Sequence, residues 1–390
     1  MSHDPAPRTR TRIVLKTNAK RTVEREAAPD GRAHAVKRYH APRIGGWFDG
    51  LRARAEFRVL EQLFARGLAV PRAIEVRHGG TWELVTEWIE DAHALDRILR
   101  GEAPWPAASA TVAQSLGRLL AEAHAIGLDH PDLHPGNVLV GAGGRTWLVD
   151  VRRARIRAQL DARERLHDLI HVAAGVRETV SARFRARFFA AYARALPIAL
   201  RGVLEPHDTV VRDIERAARR LRREHVERAR LRWTRSSSSC RAVRTPAFEG
   251  IASRALADDD VERCVALALT APTGSATSMR LGSGDELLAL PLHGTAAAVR
   301  ASWLAAVQLA DHHLDVARPL AWHRGPRAWA MLALPSSVRA VQFDTDPAFA
   351  AFFDALHDRG IALREPERAL WFRDEHGRVF AAGVRGLEPR

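Results

Sequence analysis

The sequence predicts an α+β fold in two unlike parts, the first rich in strands and the second rich in helices. Residues 12–40 alternate polar and apolar side chains and break at Pro29-Asp30-Gly31, as strands joined by a turn do. The stretch LRARAEFRVLEQLFARGL, 51–68, spaces its apolar residues as one face of a helix and ends at a glycine. Further strands follow, and 158–230 is predicted as helices. This order is typical of an α+β protein.

Two glycine pairs predict hairpins in the middle of this region. Gly79-Gly80 lies within AIEVRHGGTWELVTEWIE, and Gly143-Gly144 lies within NVLVGAGGRTWLVDV. Glycine pairs supply the left-handed backbone that tight turns need. A long apolar stretch, 107–127, separates the two hairpins and predicts a helix.

The composition indicates a cytoplasmic protein with an anionic partner. The net charge is +14, which favours nucleic acid, a phosphorylated glycolipid or the inner membrane surface, although a solvated arginine-rich surface has the same charge. The two cysteines, Cys240 and Cys264, exclude a disulfide scaffold. The N-terminus shows no apolar signal segment, and no run of about 18 apolar residues predicts a transmembrane helix.

Asparagine and lysine are scarce enough to be informative. The chain has two asparagines, Asn18 and Asn137, and three lysines, Lys16, Lys20 and Lys37, so 57 of its 60 basic residues are arginine. This bias is typical of mutational drift that removes lysine and asparagine wherever a substitute works. The remaining ones are therefore candidates for chemistry that no substitute performs.

The stretch HPDLHPGNVLV, 130–140, carries one of these asparagines. Asp132 and Asn137 share this loop, and Asp150 ends the hairpin that follows. Phosphoryl transfer needs a carboxylate beside the attacking hydroxyl and hard oxygen ligands for Mg²⁺. Asp132 is the predicted base, and Asn137 and Asp150 are the predicted metal ligands. The structural alternative is a capped turn beside a hairpin.

These residues carry a family resemblance. HPDLHPGNVLV…WLVD resembles the catalytic loop and metal-binding aspartate of the bilobal protein-kinase-like fold. The VRRARI that follows is similar to the corresponding element of lipopolysaccharide core kinases, which phosphorylate Kdo or heptose. The resemblance covers about 12–235 and implies ATP and Mg²⁺ as cofactors.

The resemblance also implies a nucleotide site in the first part of the chain. Lys37, in AVKRY, would hold the nucleotide phosphates and pair with Glu56, with Glu61 as the alternative partner. Backbone groups of Glu87 to Ile89, in LVTEWIE, would meet the adenine. The phosphate-covering loop would lie near LKTNAKRTV, where Lys16 and Lys20 are candidate phosphate contacts and a solvated turn is the alternative.

Two further groups of residues have ambiguous patterns. His167 and His171 have the i, i+4 spacing of metal ligands, but without a third ligand nearby an ordinary helix face is the favoured interpretation. The arginines within 216–235 could bind a phosphorylated sugar or lipid headgroups, or could form ion pairs with Glu224 and Glu227.

The last part of the chain resembles a degenerate copy of the first. An offset of 233 positions aligns Gly144-Arg145 with Gly377-Arg378, and an offset of 246 aligns 67–74 with 313–320. The chemistry is not repeated: Glu365, Leu370, Gly383 and Ser302 stand opposite Asp132, Asn137, Asp150 and Glu56. Chance similarity in an Ala/Arg-rich chain is the alternative.

Five segments are therefore predicted. They are a disordered basic arm (1–11), a kinase-like N-lobe (12–90), a kinase-like C-lobe (91–235), a Ser/Arg linker (236–247) and a degenerate pseudokinase-like domain (248–390).

The resemblance implies an ATP-dependent kinase that phosphorylates a sugar hydroxyl of the lipopolysaccharide inner core. It would work at the cytoplasmic face of the inner membrane, as a peripheral protein with an anionic glycolipid substrate and no nucleic-acid partner. A soluble kinase of the aminoglycoside or choline type is the first alternative. A regulatory protein that keeps the fold without transferring phosphate is the second, and the intact Lys37, Asp132, Asn137 and Asp150 argue against it.

Overall fold

The structure is a computed structural model in which the chain forms two compact units, 1–221 and 222–390. It describes residues 12–18, 21–27, 31–40, 46–205, 207–237, 239–325, 327–343, 346–359, 361–384 and 387–389, but not the side chains of 16–18, 46–48, 203 and 388–389. The predicted arm, 1–11, lies outside the described residues. No helix among the described residues is long and apolar enough to cross a membrane.

The first unit begins with a five-stranded antiparallel sheet in the order β1-β2-β3-β5-β4. A helix, α1, connects β3 to β4 and packs on the sheet. The bounds are β1 Arg12–Asn18, β2 Arg21–Ala27, β3 Ala33–Tyr39, α1 Gly46–Ala65, β4 Ala73–His78 and β5 Trp82–Glu87.

The remainder of the first unit is mostly helical, with two small sheets. Strands pair in the order β6-β8-β9 in one sheet and β7-β10 in the other. The bounds are β6 His93–Ala94, α2 Leu95–Leu99, α3 Ser109–Ala125, β7 Leu128–Asp129, β8 Val138–Val140, β9 Thr146–Leu148, β10 Arg155–Ile156, α4 Ala162–Val176, α5 Ala182–Ala195 and α6 His207–Arg232, the last of which contains the unit boundary.

Helices α3 and α5 form the centre of this helical part. Gly117 allows their close approach, because a Cβ there would overlap the carbonyl oxygen of Phe188. His124 on α3 and Tyr192 on α5 are both buried, and the His124 Nδ1 and the Tyr192 hydroxyl lie 2.8 Å apart. The two helices are therefore packed closely against each other.

One face of the five-stranded sheet carries a network of buried carboxylates and arginines. Glu83 on β5 is only 6% exposed and accepts hydrogen bonds from Arg12 at 2.9 Å, from Arg38 at 3.0 Å and from Arg77 at 2.7 Å. Burial alone would raise the pKa of Glu83, but hydrogen bonds from Arg12, Arg77 and Arg38 outweigh it and lower the pKa to about 2. The network thus joins β1, β3, β4 and β5 electrostatically.

This network predicts an acid-sensitive contribution to stability. The ordinary pKa of 4.5 falls to about 2 on folding, so the contribution of Glu83 is complete above pH 4.5 and is lost as the pH falls toward 2. We expect Glu83→Gln to lower the free energy of unfolding by roughly 2 kcal/mol at neutral pH. The difference in free energy of unfolding between wild type and Glu83→Gln, measured with urea, should become smaller as the pH is lowered from 6 to 3. A difference that stays constant with pH would contradict the assignment.

The second unit contains a six-stranded antiparallel sheet, β11-β12-β15-β16-β14-β13, and the smaller sheets β17-β19-β20 and β18-β21. Its elements are β11 Cys240–Thr245, β12 Phe248–Ser253, α7 Asp258–Thr270, β13 Thr277–Arg280, β14 Glu286–His293, α8 Ala296–Asp311, β15 Arg318–His323, β16 Trp329–Pro335, β17 Arg339–Val341, α9 Pro347–Asp358, β18 Ile361–Leu363, β19 Leu370–Arg373, β20 Val379–Ala382 and β21 Leu387–Pro389. Apolar clusters around Trp303, Phe248 and Phe349 form its core.

The segment predicted as a linker, 236–247, contains strand β11. Its residues Cys240 to Thr245 pair in register with Ser253 to Phe248 of β12. Composition misled the prediction, because the Ser/Arg bias hid the alternation of CRAVRT. Cys240 is fully buried and packs in the core beside Ile251.

The strand pairings of the second unit match those of the first at two constant offsets. Val138↔Leu148, Leu139↔Trp147 and Val140↔Thr146 become Trp371↔Ala381, Phe372↔Phe380 and Arg373↔Val379, an offset of 233 as from Val138 to Trp371. Ala73↔Thr86 and Glu75↔Val85 become Pro319↔Leu332 and Ala321↔Met331, an offset of 246 as from Ala73 to Pro319. Both β4–β5 and β15–β16 shift register between these pairs, so even the irregularity is repeated.

Candidate active site

Lys37 and Glu56 form a buried ion pair between β3 and α1. The Lys37 Nζ lies 2.8 Å from both Glu56 carboxylate oxygens, and Glu56 is 2% exposed. Tyr39 donates a third hydrogen bond to Glu56 at 2.6 Å. Burial and the Glu56 carboxylate raise the pKa of Tyr39 far above its usual range, so its hydroxyl stays protonated and donates. Glu56, rather than the alternative Glu61, is thus the partner of Lys37.

Asp150 joins this pair from the hairpin that follows the loop. Its Oδ1 accepts a hydrogen bond of 2.7 Å from Lys37 Nζ, so one ammonium group bridges two carboxylates. The Asp150 backbone is left-handed, with φ of 58°, which is uncommon for a residue other than glycine. Burial alone would raise the pKa of Asp150, but the charge of Lys37 and a hydrogen bond from Arg21 hold it well below its usual range.

The loop that precedes β8 places Asp132 and Asn137 next to the same hairpin. The Asn137 side chain is buried and donates from Nδ2 to the Asp132 carbonyl oxygen at 2.8 Å. The Asn137 carbonyl oxygen accepts a hydrogen bond from the Val149 N–H at 2.9 Å, which fixes the loop one residue before Asp150. The Asp132 side chain is exposed. A solvent-facing carboxylate therefore lies on a loop whose buried amide is held rigidly.

The two loop histidines have structural surroundings. His134 accepts a hydrogen bond from the Gly136 N–H at 3.0 Å and caps the short turn Pro135–Asn137. His130 is 2% exposed, and burial lowers its pKa, so the ring is neutral. Neither histidine is therefore a better candidate for the base than Asp132.

The donor atoms suit a magnesium ion. Magnesium prefers carboxylate and amide oxygens, which Asp150 and Asn137 supply. Because Asn137 Nδ2 is engaged by Asp132, the amide oxygen is the atom of that side chain left to act as a ligand. The Asp150 oxygens accept three hydrogen bonds from Lys37 and Arg21, so a metal ligated by Asp150 would compete with these cations for the carboxylate.

The segment predicted to meet adenine begins at the last residue of β5. The Glu87 N–H donates to the Arg72 carbonyl oxygen at 2.8 Å, so a contact from Glu87 to an adenine would use its carbonyl oxygen. Ile89 is half-buried two residues later. A cavity of about 1220 Å³ adjoins Glu87 to Glu90 but is lined by neither Lys37 nor Asp150, so we do not assign the nucleotide to it.

The two predicted phosphate-contact lysines cannot be placed. The Lys16 backbone pairs with Val23 in the β1–β2 hairpin, but its side chain and all of Lys20 lie outside the described residues. The structure instead shows a cation that sequence reasoning missed. Arg21, the first residue of β2, reaches both oxygens of Asp150.

The two remaining candidate groups lie on α4 and α6. His167 and His171 have ring centroids 4.3 Å apart on α4, and no group of three potential metal ligands occurs among the residues that the structure describes. On α6, Arg216, Arg228 and Arg230 pair with Asp213, Glu224 and Glu227. Ion pairing thus applies to part of the arginine-rich segment, while Arg219, Arg223 and Arg232 are exposed.

This combination of groups is similar to that found in protein kinases. A strand lysine paired with a helix glutamate, together with an aspartate and an asparagine that can hold a metal, is the set that positions nucleotide phosphates in protein kinases.

Comparison with known proteins shows which family of kinases the first unit resembles. Residues 34–192 match the lipopolysaccharide kinase (Kdo/WaaP) family. A 3-deoxy-D-manno-octulosonic acid kinase of Xylella fastidiosa (strain M23) is 35% identical over 121 residues, which are 28% of this chain and 45% of that protein. The enzyme of the same name from Xanthomonas oryzae pv. oryzae (strain PXO99A) is 38% identical over 114 residues, 27% of this chain and 43% of that protein.

The region 34–192 is thus similar to the lipopolysaccharide kinase (Kdo/WaaP) family. It contains Lys37, Glu56, Asp132, Asn137 and Asp150. The chain spans less than half the length of these curated relatives.

Proposed function

We propose that this protein is an ATP-dependent kinase that phosphorylates a sugar hydroxyl of the lipopolysaccharide inner core, Kdo or heptose. The match of residues 34–192 to the Kdo/WaaP family carries the proposal. The contact of Lys37 with both Glu56 and Asp150 supports it, because that arrangement would hold nucleotide phosphates beside the loop of Asp132. The relatives' names favour Kdo as the sugar.

Each polar residue of the site has one role in this proposal. Lys37, oriented by Glu56, binds the nucleotide phosphates, and the backbone from Glu87 to Ile89 binds the adenine. Asp132, which is exposed, accepts the proton of the attacking sugar hydroxyl. Asn137 and Asp150 would hold magnesium, which supplies positive charge to the phosphate oxygens when bound.

An acceptor panel tests the proposal. Full-length protein is incubated with ATP and Mg²⁺ and with Kdo-bearing lipid A, heptose-bearing core, free Kdo, an aminoglycoside or choline. We expect transfer to the core glycolipids and none to the aminoglycoside or choline. Preferential transfer to a soluble amine-bearing acceptor would instead identify a small-molecule kinase.

We also propose a peripheral position at the cytoplasmic face of the membrane, supported by the net charge of +14 and by exposed arginines on α6. Exposed basic residues near an anionic surface contribute about 1 kcal/mol each and are screened by salt.

Binding to anionic membranes should therefore fall steeply with salt. We expect co-sedimentation with phosphatidylglycerol vesicles at low ionic strength and release at about 0.5 M salt, where the screening length is short. Neutral phosphatidylcholine vesicles are the control. Vesicle binding that does not depend on salt concentration, or no binding at low salt, would contradict the proposed position at the membrane.

We further propose that the first unit is a bilobal protein-kinase-like fold and that the second is a degenerate, partial copy of it. The shared offsets of strand pairing support this, since chance similarity of sequence would not reproduce register and irregularity together. Backbone conformation agrees as well: Gly383, at the offset of 233 from Asp150, is left-handed with φ of 64° against 58° for Asp150.

Apolar residues take the places of the polar site in this copy. Leu292 pairs with Ala330 as Lys37 pairs with Leu84, so it occupies the lysine position. A Cβ on Gly383 would lie 3.6 Å from Leu292 and 3.7 Å from Leu370, which stands in the Asn137 position. Leucine and glycine side chains bind neither metal nor phosphate, so the copy should not hold Mg²⁺-ATP.

Glu365, which stands opposite Asp132, should accordingly be dispensable. It forms a surface ion pair with Arg368 at 3.1 Å, a kind of contact that contributes little. We expect Glu365→Ala to leave the rate of phosphate transfer within about twofold of wild type. A rate that falls as far as that of Asp132→Ala would show that the second unit takes part in the chemistry.

A further inference from the structure

Arg21 holds the carboxylate that the proposed function assigns to the metal. Its Nη1 donates to Asp150 Oδ1 at 2.9 Å, and its Nη2 donates to Asp150 Oδ2 at 2.6 Å. This is a two-pronged guanidinium–carboxylate pair, the strongest geometry open to these groups. The Arg21 and Asp150 side chains are 24% and 19% exposed, so water screens the pair only in part.

The pair balances charge at the centre of the site. Lys37 and Arg21 carry two positive charges against the two negative charges of Glu56 and Asp150, and Lys37 touches both carboxylates. Without Arg21, the cluster would hold one excess negative charge in a largely buried place. The Arg21 guanidinium therefore neutralises the charge of Asp150, as a bound metal cation would.

Arg21 and a magnesium ion would compete for the carboxylate oxygens of Asp150. Magnesium ligates a carboxylate oxygen at 2.0–2.1 Å and demands near-octahedral geometry around itself. Both Asp150 oxygens accept hydrogen bonds from Arg21, and Oδ1 also accepts one from Lys37. Oδ1 thus accepts two hydrogen bonds and has no lone pair left for a metal ion, whereas a metal ion at Oδ2 would lie beside the guanidinium charge. A metal ion and Arg21 therefore compete for Asp150.

Withdrawal of Arg21 would involve its side chain, because its backbone is held in the sheet. Arg21 pairs with Asn18 at the end of the β1–β2 hairpin and with Tyr39 of β3 on its other side. Its long side chain can rotate away from Asp150 while the strand stays paired.

We propose that Arg21 is an internal counter-ion that competes with the metal for Asp150, so that metal binding favours displacement of the guanidinium. The inference rests on the proposed role of Asp150 as a metal ligand. The competition makes the affinity of the site for a metal ion lower than the affinity that its oxygen ligands alone would give.

The test is direct binding of Mn²⁺ to the full-length protein, measured by water proton relaxation without nucleotide. We expect Arg21→Ala, and the polar Arg21→Gln beside it, to bind Mn²⁺ roughly tenfold more tightly, which corresponds to 1.4 kcal/mol. Arg58→Ala is the matched control, because it removes an exposed guanidinium from the same unit. Thermal unfolding of each variant verifies that it is folded.

Asp150→Asn separates the two claims. We expect it to lose the Mn²⁺ site whether or not Arg21 is also replaced. If both Arg21 variants bind Mn²⁺ no more tightly than Arg58→Ala while Asp150→Asn still loses the site, the competition is refuted and the metal role of Asp150 stands. If Asp150→Asn binds Mn²⁺ as wild type does, the metal role and the competition are both refuted.

Discussion

Replacing Asp132 with alanine is expected to lower the rate of phosphate transfer by a factor of about 10²–10⁴, the usual contribution of a positioned general base. Stability should not change, since the Asp132 side chain is exposed and the contact to Asn137 uses the Asp132 backbone carbonyl. The measurement is the initial rate with saturating ATP and glycolipid, together with the melting temperature.

Asp213→Ala is the control for this variant. Asp213 is an exposed carboxylate on α6 whose ion pair with Arg216 is 3.2 Å long. We expect a normal rate from it. A near-normal rate for Asp132→Ala would mean that another group accepts the proton, and the assignment of the loop would be wrong.

Replacing Lys37 with methionine should damage both stability and activity. Among the described residues, Glu56 would keep the Tyr39 hydroxyl as its one side-chain hydrogen-bond donor, while it stays 2% exposed. Removing one member of a buried pair leaves an uncompensated charge, which costs about 3–5 kcal/mol. We expect the free energy of unfolding to fall by about this amount and phosphate transfer to become undetectable.

Lys37→Arg separates these two effects. The guanidinium keeps the charge, so stability should fall less than in Lys37→Met, but its planar fork cannot place one nitrogen against Glu56 and Asp150 as the ammonium does. We therefore expect a folded protein with a strongly reduced rate. Normal transfer by Lys37→Arg would contradict the view that the chain keeps lysine here for its chemistry.

Much of the site was predictable because it depends on chemistry that few residues can perform. In a chain that replaces lysine and asparagine so widely, Lys37 and Asn137 indicated positions with strict requirements. A carboxylate on the apolar stripe of a helix needs a buried cation, which made Glu56 the expected partner of Lys37. The structure brings these two residues together. Their roles in binding nucleotide remain predictions.

Arg21 was missed because the same reasoning points away from arginine. Among 57 arginines no single one is conspicuous, whereas the neighbouring lysines, Lys16 and Lys20, are two of only three in the sequence. The charged face of the first sheet was missed for a related reason. Glu24, Glu26 and Glu83 look like solvent-facing strand positions, yet each is buried at 6% exposure or less beneath arginine side chains. Burial by long cationic side chains is a tertiary effect with no local sequence pattern.

The second unit shows how a weak internal similarity of sequence compares with the strand pairing. Sequence offsets of 233 and 246 predicted which turns would correspond, and the strand registers have the same offsets. The apolar contact of Leu292 and Leu370 with Gly383 could not be predicted, because the offset that relates Leu292 to Lys37 differs from both of the others.

The most direct test of the account is mass spectrometry of Kdo-bearing lipid A after incubation with the full-length protein, ATP and Mg²⁺. The account predicts one added phosphate on the sugar with wild-type protein and with Glu365→Ala, and at most a trace of it with Asp132→Ala or Asp150→Asn in the same time. No phosphorylated sugar with folded wild-type protein, or equal phosphorylation by Asp132→Ala, would contradict it.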